Sequence, residues 1–280
     1  MKKLKIGVVI PVGNNLEYLP RCLESIMNQT QKPEKLIIVL DKVVLNSQIL
    51  DYVSTIPNAQ VFNNSGAKGP AAARNYGYEM GAELDVIVNH DSDDLMQKDR
   101  IKIIFDFFTE NPLVDILFTD AIFINRYGSP VGDLKPDSKE RNHLKILKSL
   151  AKKNDLIHPT SAIRTEAFKL VGGYDISFPK MIDYNLYLRL ALKNRIFAFL
   201  PQKTIYYRIH NEQLSHKKNV GKHLLKMVKL RSKLSLKIGF SIFSVCYLQF
   251  YWYFGKLITE LGVRKSILRK LMKTVKSSAN

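Results

Sequence analysis

Cysteine is scarce in this chain, which has two among its 280 residues. Cys22 and Cys246 lie far apart, and neither belongs to a Cys-x-x-Cys pair. Their number and spacing exclude a disulfide framework and a cysteine-rich zinc site. A reducing compartment is the default for such a chain, and we therefore expect a cytoplasmic protein.

Glycine-rich motifs that cradle phosphate groups are missing as well. No Gly-x-Gly-x-x-Gly run follows the first apolar segment, and no Gly-x-x-x-x-Gly-Lys-Ser/Thr run occurs anywhere. Their absence argues against a dinucleotide-dependent dehydrogenase and against a P-loop nucleotidase. The N-terminal apolar run, which ends at Pro11, is too short for a signal peptide and indicates a first β-strand.

Acidic residues are few in the last quarter of the chain. The protein has 43 Lys and Arg against 25 Asp and Glu, a net charge of +18. Residues 211–280 have 15 basic and 2 acidic residues, a net charge of +13, whereas residues 1–130 have 13 and 16, a net charge of −3. A basic tail on a nearly neutral N-terminal half indicates an anionic partner, either a membrane surface or a nucleic acid.

Short β-rich runs alternate with helical patterns in the first half of the chain. This alternation predicts an α/β protein with a Rossmann-like, doubly wound and mostly parallel sheet. Ligands bind beyond the carboxyl ends of the strands in such sheets, and Asp41 and Asp91–Asp94 follow two of these ends. The strands are predicted at 5–10, 36–40, 60–63 and 86–89, and the helices at 16–27, 47–54, 71–81 and 96–108.

The pattern changes after residue 115. Strands are predicted at 116–119, 122–125, 197–200 and 205–207, an extended segment at 158–164, and helices at 138–153, 165–171 and 183–193.

Three carboxylates, those of Asp91, Asp93 and Asp94, occur within four residues directly after a predicted strand. Hard divalent cations prefer carboxylate oxygens, and Mg²⁺ or Mn²⁺ commonly bridges one or two of them to substrate phosphates. The alternative is a solvated turn with an aspartate capping the next helix. An EF-hand does not fit, because its sixth position is Met96 and its twelfth is Lys102.

Seven segments then occur in the order found in one enzyme family. They are VVIPVGNNLEYLPRCLESIMNQT, LIIVLD, GPAAARNYG, NHDSDD, GGYD, MIDYNLYLRL and YYRIHNEQLS. With them the chain resembles the family 2 glycosyltransferases, which have the GT-A fold. The resemblance covers roughly residues 5–216. It implies a catalytic domain over 1–216, with a nucleotide-binding half at 1–120 and an acceptor-binding half at 121–216.

The resemblance also implies roles for individual residues. The backbone of Pro11 and Val12, with Asp41, would hold the base and ribose of a nucleotide-diphosphate sugar. The donor pocket would also be lined by Arg74 and Asn75. For the metal, Mn²⁺ or Mg²⁺, the implied site residues are Asp93, Asp91 and His210. Asp93 would ligate the ion, Asp91 would reach the ribose or a metal-bound water, and His210 would approach the diphosphate or complete the metal shell.

Asp183 would be the catalytic base. A carboxylate can deprotonate the acceptor hydroxyl on one face of the sugar, while a metal acts as Lewis acid on the diphosphate leaving group. One base opposite the leaving group predicts inversion at the anomeric carbon. Two positions depart from the family pattern, since Ile182 replaces the usual acid before the base and Lys42 replaces a common second aspartate.

Each of these residues also has a plainer interpretation. Asp183 could cap the next helix, Asp41 could be a strand-end turn residue, and Arg74 could pair with a surface carboxylate. His210 could be an ordinary loop histidine, and His158 could be structural or line the acceptor side.

The tail, residues 217–280, is predicted to form a basic, apolar helical extension. Residues 238–255 are uncharged and aromatic, but about twenty apolar residues are usual for a membrane span. Basic segments at 222–237 and 264–276 flank them. We therefore hypothesise a tail that lies in the membrane interface, on the inner face of the cytoplasmic membrane, and meets a lipid-linked saccharide acceptor. The alternative is a helical pair packed on the catalytic domain.

Two other functions remain open from the residues alone. A sugar nucleotidyltransferase also uses an α/β sheet and acidic metal ligands, although its basic phosphate loop is not visible. A nucleic-acid-binding protein is suggested by the charge, but the basic residues accompany apolar and aromatic ones and form no recognition motif. We therefore expect no nucleic acid partner, and a role in surface polysaccharide or lipopolysaccharide synthesis.

Overall fold

The computed structural model describes residues 3–14, 16–131, 142–178, 180–210 and 221–260, with the backbone alone at 221–222 and 257–260. Its centre is one eight-stranded sheet in the order β3-β2-β1-β4-β7-β6-β8-β5. The strands are β1 Ile6–Val12, β2 Lys35–Leu40, β3 Ala59–Asn63, β4 Val86–Asn89, β5 Leu95–Met96, β6 Ile116–Ile124, β7 Ala162–Arg164 and β8 Phe197–Arg208. Six strands run in one direction, and β5 and β7 run in the other.

Strands β1 to β4 are parallel and form the N-terminal half of the sheet. The central strands β1, β2 and β4 are apolar runs buried on both faces, as expected for parallel strands covered by helices. The helices that connect and cover them are α1 Leu19–Met27, α2 Ser47–Ser54, α3 Pro70–Met80 and α4 Arg100–Glu110. The predicted strands and the helices α2 and α3 are confirmed within two residues.

One helix prediction in this half was wrong at its start. Residues 95 and 96 form the edge strand β5, paired with Tyr206 and Ile205, and α4 begins only at Arg100. Pairing with a strand 110 residues away outweighs the local helical pattern, because the backbone groups there are satisfied by the sheet. The acidic cluster therefore lies in the turn between β4 and β5 and caps no helix.

The pairs of strands predicted after residue 115 are single long strands. β6 and β8 pair in parallel along nearly their whole length, with register shifts near Asp120. The shifts give β8 extra residues around Pro201, which has no N–H to donate to a ladder. The sequence pattern predicts two strands separated by a break at 201–204. In the structure the strand continues through these residues with a bulge.

The remaining helices are α5 His143–Lys152, α6 Thr165–Leu170, α7 Ile182–Leu192, α8 Gly221–Lys237 and α9 Ile242–Glu260. The first five residues of the predicted 138–153 helix do not belong to α5, and four of them lie outside the described residues. The segment predicted as extended begins instead with a short 3-10 turn, His158–Thr160, before β7.

The C-terminal helices α8 and α9 form a hairpin against the α/β core. Leu224, Met227 and Leu234 of α8 are buried, the last two in the same apolar cluster as residues of α5 and α7. The packed-pair alternative therefore describes α8. Among the described residues, every helix is too short or too polar to cross a bilayer. The basic segment 264–276 lies outside the described part, and the boundary at 216 stays a prediction.

Candidate active site

The acidic cluster forms a compact site at the carboxyl end of β4. One carboxylate oxygen from each of Asp91, Asp93 and Asp94 lies within 4.8 Å of the other two. Asp94 is buried, while Asp91 and Asp93 are partly exposed to the crevice. Three carboxylates at this spacing repel one another unless a cation lies among them.

Arg74 neutralises one of the three. It reaches from α3, is itself buried, and its Nη2 donates to Asp91 Oδ1 at 2.5 Å. Burial alone would raise the pKa of Asp91, but the guanidinium outweighs it and the pKa of Asp91 is lowered. Arg74 therefore forms an ion pair with a partly exposed carboxylate of the acidic cluster, and its role in the donor pocket stays a prediction.

The pKa values of the other two carboxyls are raised instead. Burial and the charges of Asp93 and Asp91 raise the pKa of Asp94 well above its usual range. Burial and Asp91 also raise the pKa of Asp93, against the opposing effect of His210. Asp94 Oδ1 accepts from the backbone N–H of Arg208 at 2.8 Å. Its other oxygen, Oδ2, is buried with no hydrogen-bond partner within the described part of the chain.

His210 joins this cluster from the residues after β8. Its Nε2 lies 2.8 Å from Asp93 Oδ2, and its ring is 5.4 Å from that of Tyr18. Arg208 stacks on the same tyrosine at 4.6 Å and donates through Nε to the backbone oxygen of Asp93. These contacts bring a residue 117 positions away to the acidic turn, and the prediction that His210 belongs near Asp93 agrees with the geometry.

Buried hydrogen bonds hold the end of β4, directly before the acidic turn. Arg100 of α4 donates to the backbone oxygens of Asn89 and Pro159 at 3.1 and 2.6 Å, and its Nη1 lies 3.1 Å from His90 Nδ1. Burial and Arg100 lower the pKa of His90 to about 3, so this ring is neutral. The end of β4 is therefore fixed on both sides before any ligand binds.

The donor set fits a hard divalent cation. The cluster combines an orphan buried carboxylate oxygen, two carboxyls whose pKa values are raised by burial and by the neighbouring carboxylates, and an imidazole nitrogen. A bound cation would relieve the repulsion and give Asp94 Oδ2 a partner.

Asp183 occupies the first turn of α7. Met181, the N-cap residue two positions before Asp183, has a left-handed backbone (φ 56°), and the helix begins directly after it. Asn154 donates from Nδ2 to Asp183 Oδ2 at 2.8 Å. Burial raises the pKa of Asp183, and the backbone N–H of Tyr184 and the charge of Arg74 partly offset it. A partly buried carboxylate with a raised pKa suits a general base.

Arg74 is the electrostatic link between the two halves of the site. It interacts with both Asp91 and Asp183. The Tyr207 hydroxyl likewise lies in the field of Asp183 and of the three clustered carboxylates, and together with burial they raise its pKa. The acidic turn after β4 and the start of α7 therefore lie close enough to interact electrostatically.

Asp41, at the end of β2, holds the loop before α3. Its two carboxylate oxygens accept from the backbone N–H of Gly69 at 3.1 and 2.9 Å, and Asn64 Nδ2 donates to Oδ1 at 3.3 Å. Gly69 has φ 125°, a backbone that side chains disfavour. Asp41 thus has a structural role here, and its contact with a nucleobase stays a prediction.

The remaining predicted donor residues lie around the same edge. Pro11 is partly buried at the end of β1, and the backbone oxygen of Val12 accepts from Asp41 N at 2.8 Å. Asn75 makes two hydrogen bonds to the Tyr174 backbone, donating to O at 2.9 Å and accepting from N at 2.8 Å. Asn75 therefore fastens the Gly-Gly-Tyr turn to α3, and its role as a pocket wall stays a prediction.

Comparison with known proteins identifies the family. The model of glycosyl transferase family 2 matches residues 7–172, which include the acidic cluster, Arg74 and Asp41. The chain belongs to glycosyl transferase family 2. It is a glycosyltransferase, and this assignment favours sugar transfer over the nucleotidyltransferase and nucleic-acid-binding alternatives.

Relatives of this glycosyltransferase include enzymes with named activities. It is 28% identical over 190 residues to the Escherichia coli UDP-Gal:alpha-D-GlcNAc-diphosphoundecaprenol beta-1,3-galactosyltransferase, covering 67% of each chain. It is 27% identical over 212 residues to the E. coli O-antigen biosynthesis glycosyltransferase WbnJ, covering 74% of this chain and 80% of the relative.

Solved structures share its fold. TarS of S. aureus, in complex with UDP-GlcNAc, superposes with a TM-score of 0.69 at 19% identity, covering 91% of this chain and 73% of that one. GalNAc-T7 with UDP, GalNAc and Mn²⁺ superposes with a TM-score of 0.63 at 17% identity, covering 81% and 48%. These likenesses confirm the predicted GT-A fold.

Two residues of the site were not singled out from the sequence. Asn154 holds Asp183, and Arg208 holds the acidic turn. Arg208 stands within a quoted motif, so a signal existed for it. Asn154 lies in a segment without any motif, 29 residues before its partner.

Proposed function

We propose that this glycosyltransferase moves a sugar, with inversion, from a nucleotide-diphosphate sugar to a lipid-linked saccharide in the synthesis of a surface polysaccharide. The observation that carries the proposal is the cluster of Asp91, Asp93 and Asp94 beyond β4, with Arg74 paired to Asp91 and in the electrostatic field of Asp183. A cation site for the diphosphate and a separate carboxylate for the acceptor are the two requirements of direct displacement at the anomeric carbon.

In this proposal Asp93, Asp91 and His210 hold Mn²⁺ or Mg²⁺, with Asp94 as a further carboxylate against the ion. The metal supplies Lewis-acid stabilisation of the negative charge on the diphosphate leaving group. Arg74 keeps the carboxylate of Asp91 ionised, so that its oxygens are available as acceptors. Pro11, Val12 and Asp41 hold the nucleoside at the adjoining strand ends.

Asp183 takes the proton from the acceptor hydroxyl as that oxygen bonds to the anomeric carbon. The bond from that carbon to the diphosphate breaks on the opposite face, so the configuration inverts. No second carboxylate is assigned as a nucleophile, since the carboxylates of the acidic cluster are committed to Arg74 and the cation.

The relatives support the chemical class of both substrates. The TarS structure contains UDP-GlcNAc, and the related E. coli galactosyltransferase acts on a saccharide linked to diphosphoundecaprenol. A uridine nucleotide donor and a polyprenol-diphosphate acceptor are therefore the first compounds to test.

The outer face of α9 supports a peripheral place on an anionic membrane. Its exposed apolar side chains recur at helical spacing and form what we call the aromatic face: Ile242, Phe243, Tyr247, Phe250, Tyr251 and Phe254. Exposed Lys226, Lys229 and Lys233 on α8 add positive charge nearby. Aromatic rings favour the bilayer interface, and each cation near an anionic leaflet contributes about 1 kcal/mol.

Ligand-induced thermal shifts test the donor site. UDP-, GDP- and dTDP-sugars are compared with a CMP-sugar, which lacks a diphosphate, with and without Mn²⁺ or Mg²⁺. At a ligand concentration 100 times Kd, the melting temperature should rise by about 5 °C. Asp93→Ala should abolish the metal-dependent part of the shift. Asp106→Ala, which removes an exposed partner of Lys102 on α4, should keep it. If no diphosphate sugar shifts the wild type under either metal, the transferase proposal fails.

The two cysteines make the membrane test specific. Cys246 is exposed beside the aromatic face and Cys22 is buried, so a thiol-reactive environment-sensitive dye labels Cys246 alone in the native protein. Its emission should shift to the blue with vesicles that contain anionic lipid and stay unchanged with neutral ones. Phe243→Ser with Phe250→Ser should abolish the shift.

Leu113→Ser is the matched control, because Leu113 is 78% exposed but lies outside the tail. A blue shift that grows with protein concentration in the absence of vesicles would mean that the aromatic face binds a second copy instead. That outcome, or equal shifts with both vesicle types, contradicts the anionic membrane proposal.

A further inference from the structure

We infer that Asn154 is a positioning residue for Asp183, and that the C-terminal hairpin holds it in place. The inference rests on the proposed role of Asp183 as base. Under this inference the proposed acceptor side of the site contains Asn154 as well as Asp183. The hairpin of α8 and α9 then contributes to that side by holding the segment that carries Asn154.

The side chain of Asn154 is fixed from both ends. Its Oδ1 accepts from the backbone N–H of Leu156 at 3.2 Å, which orients the amide so that Nδ2 faces Asp183 Oδ2 at 2.8 Å. A carboxylate has about four lone-pair directions. Holding one oxygen in this way sets the rotation of the group and leaves other lone pairs for the acceptor hydroxyl.

The amide compensates for a departure from the family pattern. The family resemblance places an acid directly before the base, but Ile182 is apolar and buried. Asn154 approaches the base from another element and donates a hydrogen bond without carrying charge. A neutral donor favours the ionised form of the base and introduces no competing proton acceptor at this oxygen.

The segment that carries Asn154 is held by two helices. Tyr184 of α7 donates from its hydroxyl to the backbone oxygen of Leu150 at 2.5 Å. Arg231 of α8 donates from Nη2 to the backbone oxygens of Ala151 and Lys152 at 3.0 and 2.6 Å. The last carbonyls of a helix have no partner within it, so these donors complete the end of α5 directly before Asn154.

Other groups also act on Asp183 and must be separated from Asn154. Arg74 of α3 attracts it, and the backbone N–H groups of Asp183 and Tyr184 stabilise its charge. Asp183 also affects the pKa of tyrosines on α7, on β8 and after α6, namely Tyr184, Tyr187, Tyr207 and Tyr174. These groups are unchanged in a variant at position 154.

The test reads the titration of Asp183 directly, by NMR of the full chain with ¹³C-labelled aspartate carboxyls, assigned with Asp183→Asn. Asn154→Ala should raise the pKa of Asp183 by about one unit, because one hydrogen bond to the charged form is lost. Asn154→Asp keeps the shape and the acceptor for Leu156. Since like charges at this distance cannot both ionise, it should raise one apparent pKa of the pair by about two units.

Asn142→Ala is the matched control. Asn142 accepts from Lys145 N at the start of α5, and this helix, about 15 Å long, separates it from Asn154, so its loss affects stability but not the base. If the titration of Asp183 is unmoved in both Asn154 variants, or moves equally in the control, Asn154 has no positioning role. Transfer assays separate the two proposals: an inactive wild type refutes the function, whereas the titration is measured without substrate. In an active enzyme, Asn154→Ala should lower kcat about tenfold and leave the donor KM unchanged.

Discussion

Replacing Arg231 with methionine is expected to lower the free energy of unfolding by about 2–4 kcal/mol. The guanidinium is buried, donates to two carbonyls at the end of α5, and stacks on Trp252 at 4.2 Å. Hydrogen bonds from a charged donor contribute about 1.5–3 kcal/mol each, and a cation–π contact about 0.5–2 kcal/mol. Methionine fills similar space and removes the desolvation cost of the charge, so the net loss is smaller than the sum.

Urea unfolding measures this loss with two signals. The protein has one tryptophan, and Trp252 lies between Arg231 and Tyr184, so its fluorescence reports on the docking of α9. Far-ultraviolet circular dichroism reports on the whole fold. If the hairpin belongs to the catalytic core, both signals should change at the same urea concentration in the wild type and in Arg231→Met.

Lys237→Met is the matched control for this variant. Lys237 is the last residue of α8. Like Arg231, it donates to a carbonyl at the end of another helix, that of Leu192 at 2.7 Å, but its side chain is exposed. Its loss should change stability by about 0.5 kcal/mol or less. The reasoning from burial would be refuted if Arg231→Met lowered the free energy of unfolding by only about 0.5 kcal/mol or less relative to the wild type. Equal losses in the two variants would refute it as well.

Three further predictions concern the base, its titration and one close contact. Asp183→Asn should reduce the transfer rate by about 10²–10⁴-fold and leave the nucleotide-induced thermal shift intact; a loss of both would assign Asp183 to donor binding. Because burial raises the pKa of Asp183, kcat/KM should fall with decreasing pH through an apparent pKa above the usual aspartate value of about 3.9, and an acid limb at or below that value contradicts this. Gly77→Ala should destabilise the fold by about 1–3 kcal/mol in urea titrations, because the added Cβ would lie 2.5 Å from Val9 Cγ1. Gly255→Ala on α9, where the added Cβ would meet no atom within 4 Å apart from its own helix, should instead stabilise it by about 0.5–1 kcal/mol.

Much of the N-terminal half of the sheet could be predicted because its signals are local. Apolar runs such as Val86–Asn89 are buried on both faces, and composition alone identifies them as strands. The acidic residues follow directly in sequence, so their place at a strand end required no knowledge of distant contacts. The family resemblance then placed Asp183 and His210 in the same site, although they are far apart in the chain.

Predictions failed where a distant partner outweighed a local pattern. Met96, the first residue of the predicted 96–108 helix, pairs with β8 instead, and the apparent break at Pro201 is a bulge in a continuous strand. In both places the backbone groups find partners more than 75 residues away. Such partners are invisible to periodicity, which reports only on near neighbours.

The sequence by itself therefore determined the α/β class, the family and the identity of the acidic cluster, because short-range pattern and motif order encode them. Only the tertiary structure decided how the charges are paired. Arg74 neutralises Asp91, Arg208 holds the turn at Asp93, and Asn154 faces Asp183 because packing of the sheet and helices brings them within hydrogen-bond distance. A hydrogen bond requires the donor–acceptor distance to be correct to within a few tenths of an ångström. That distance is set by the packing of the core as a whole.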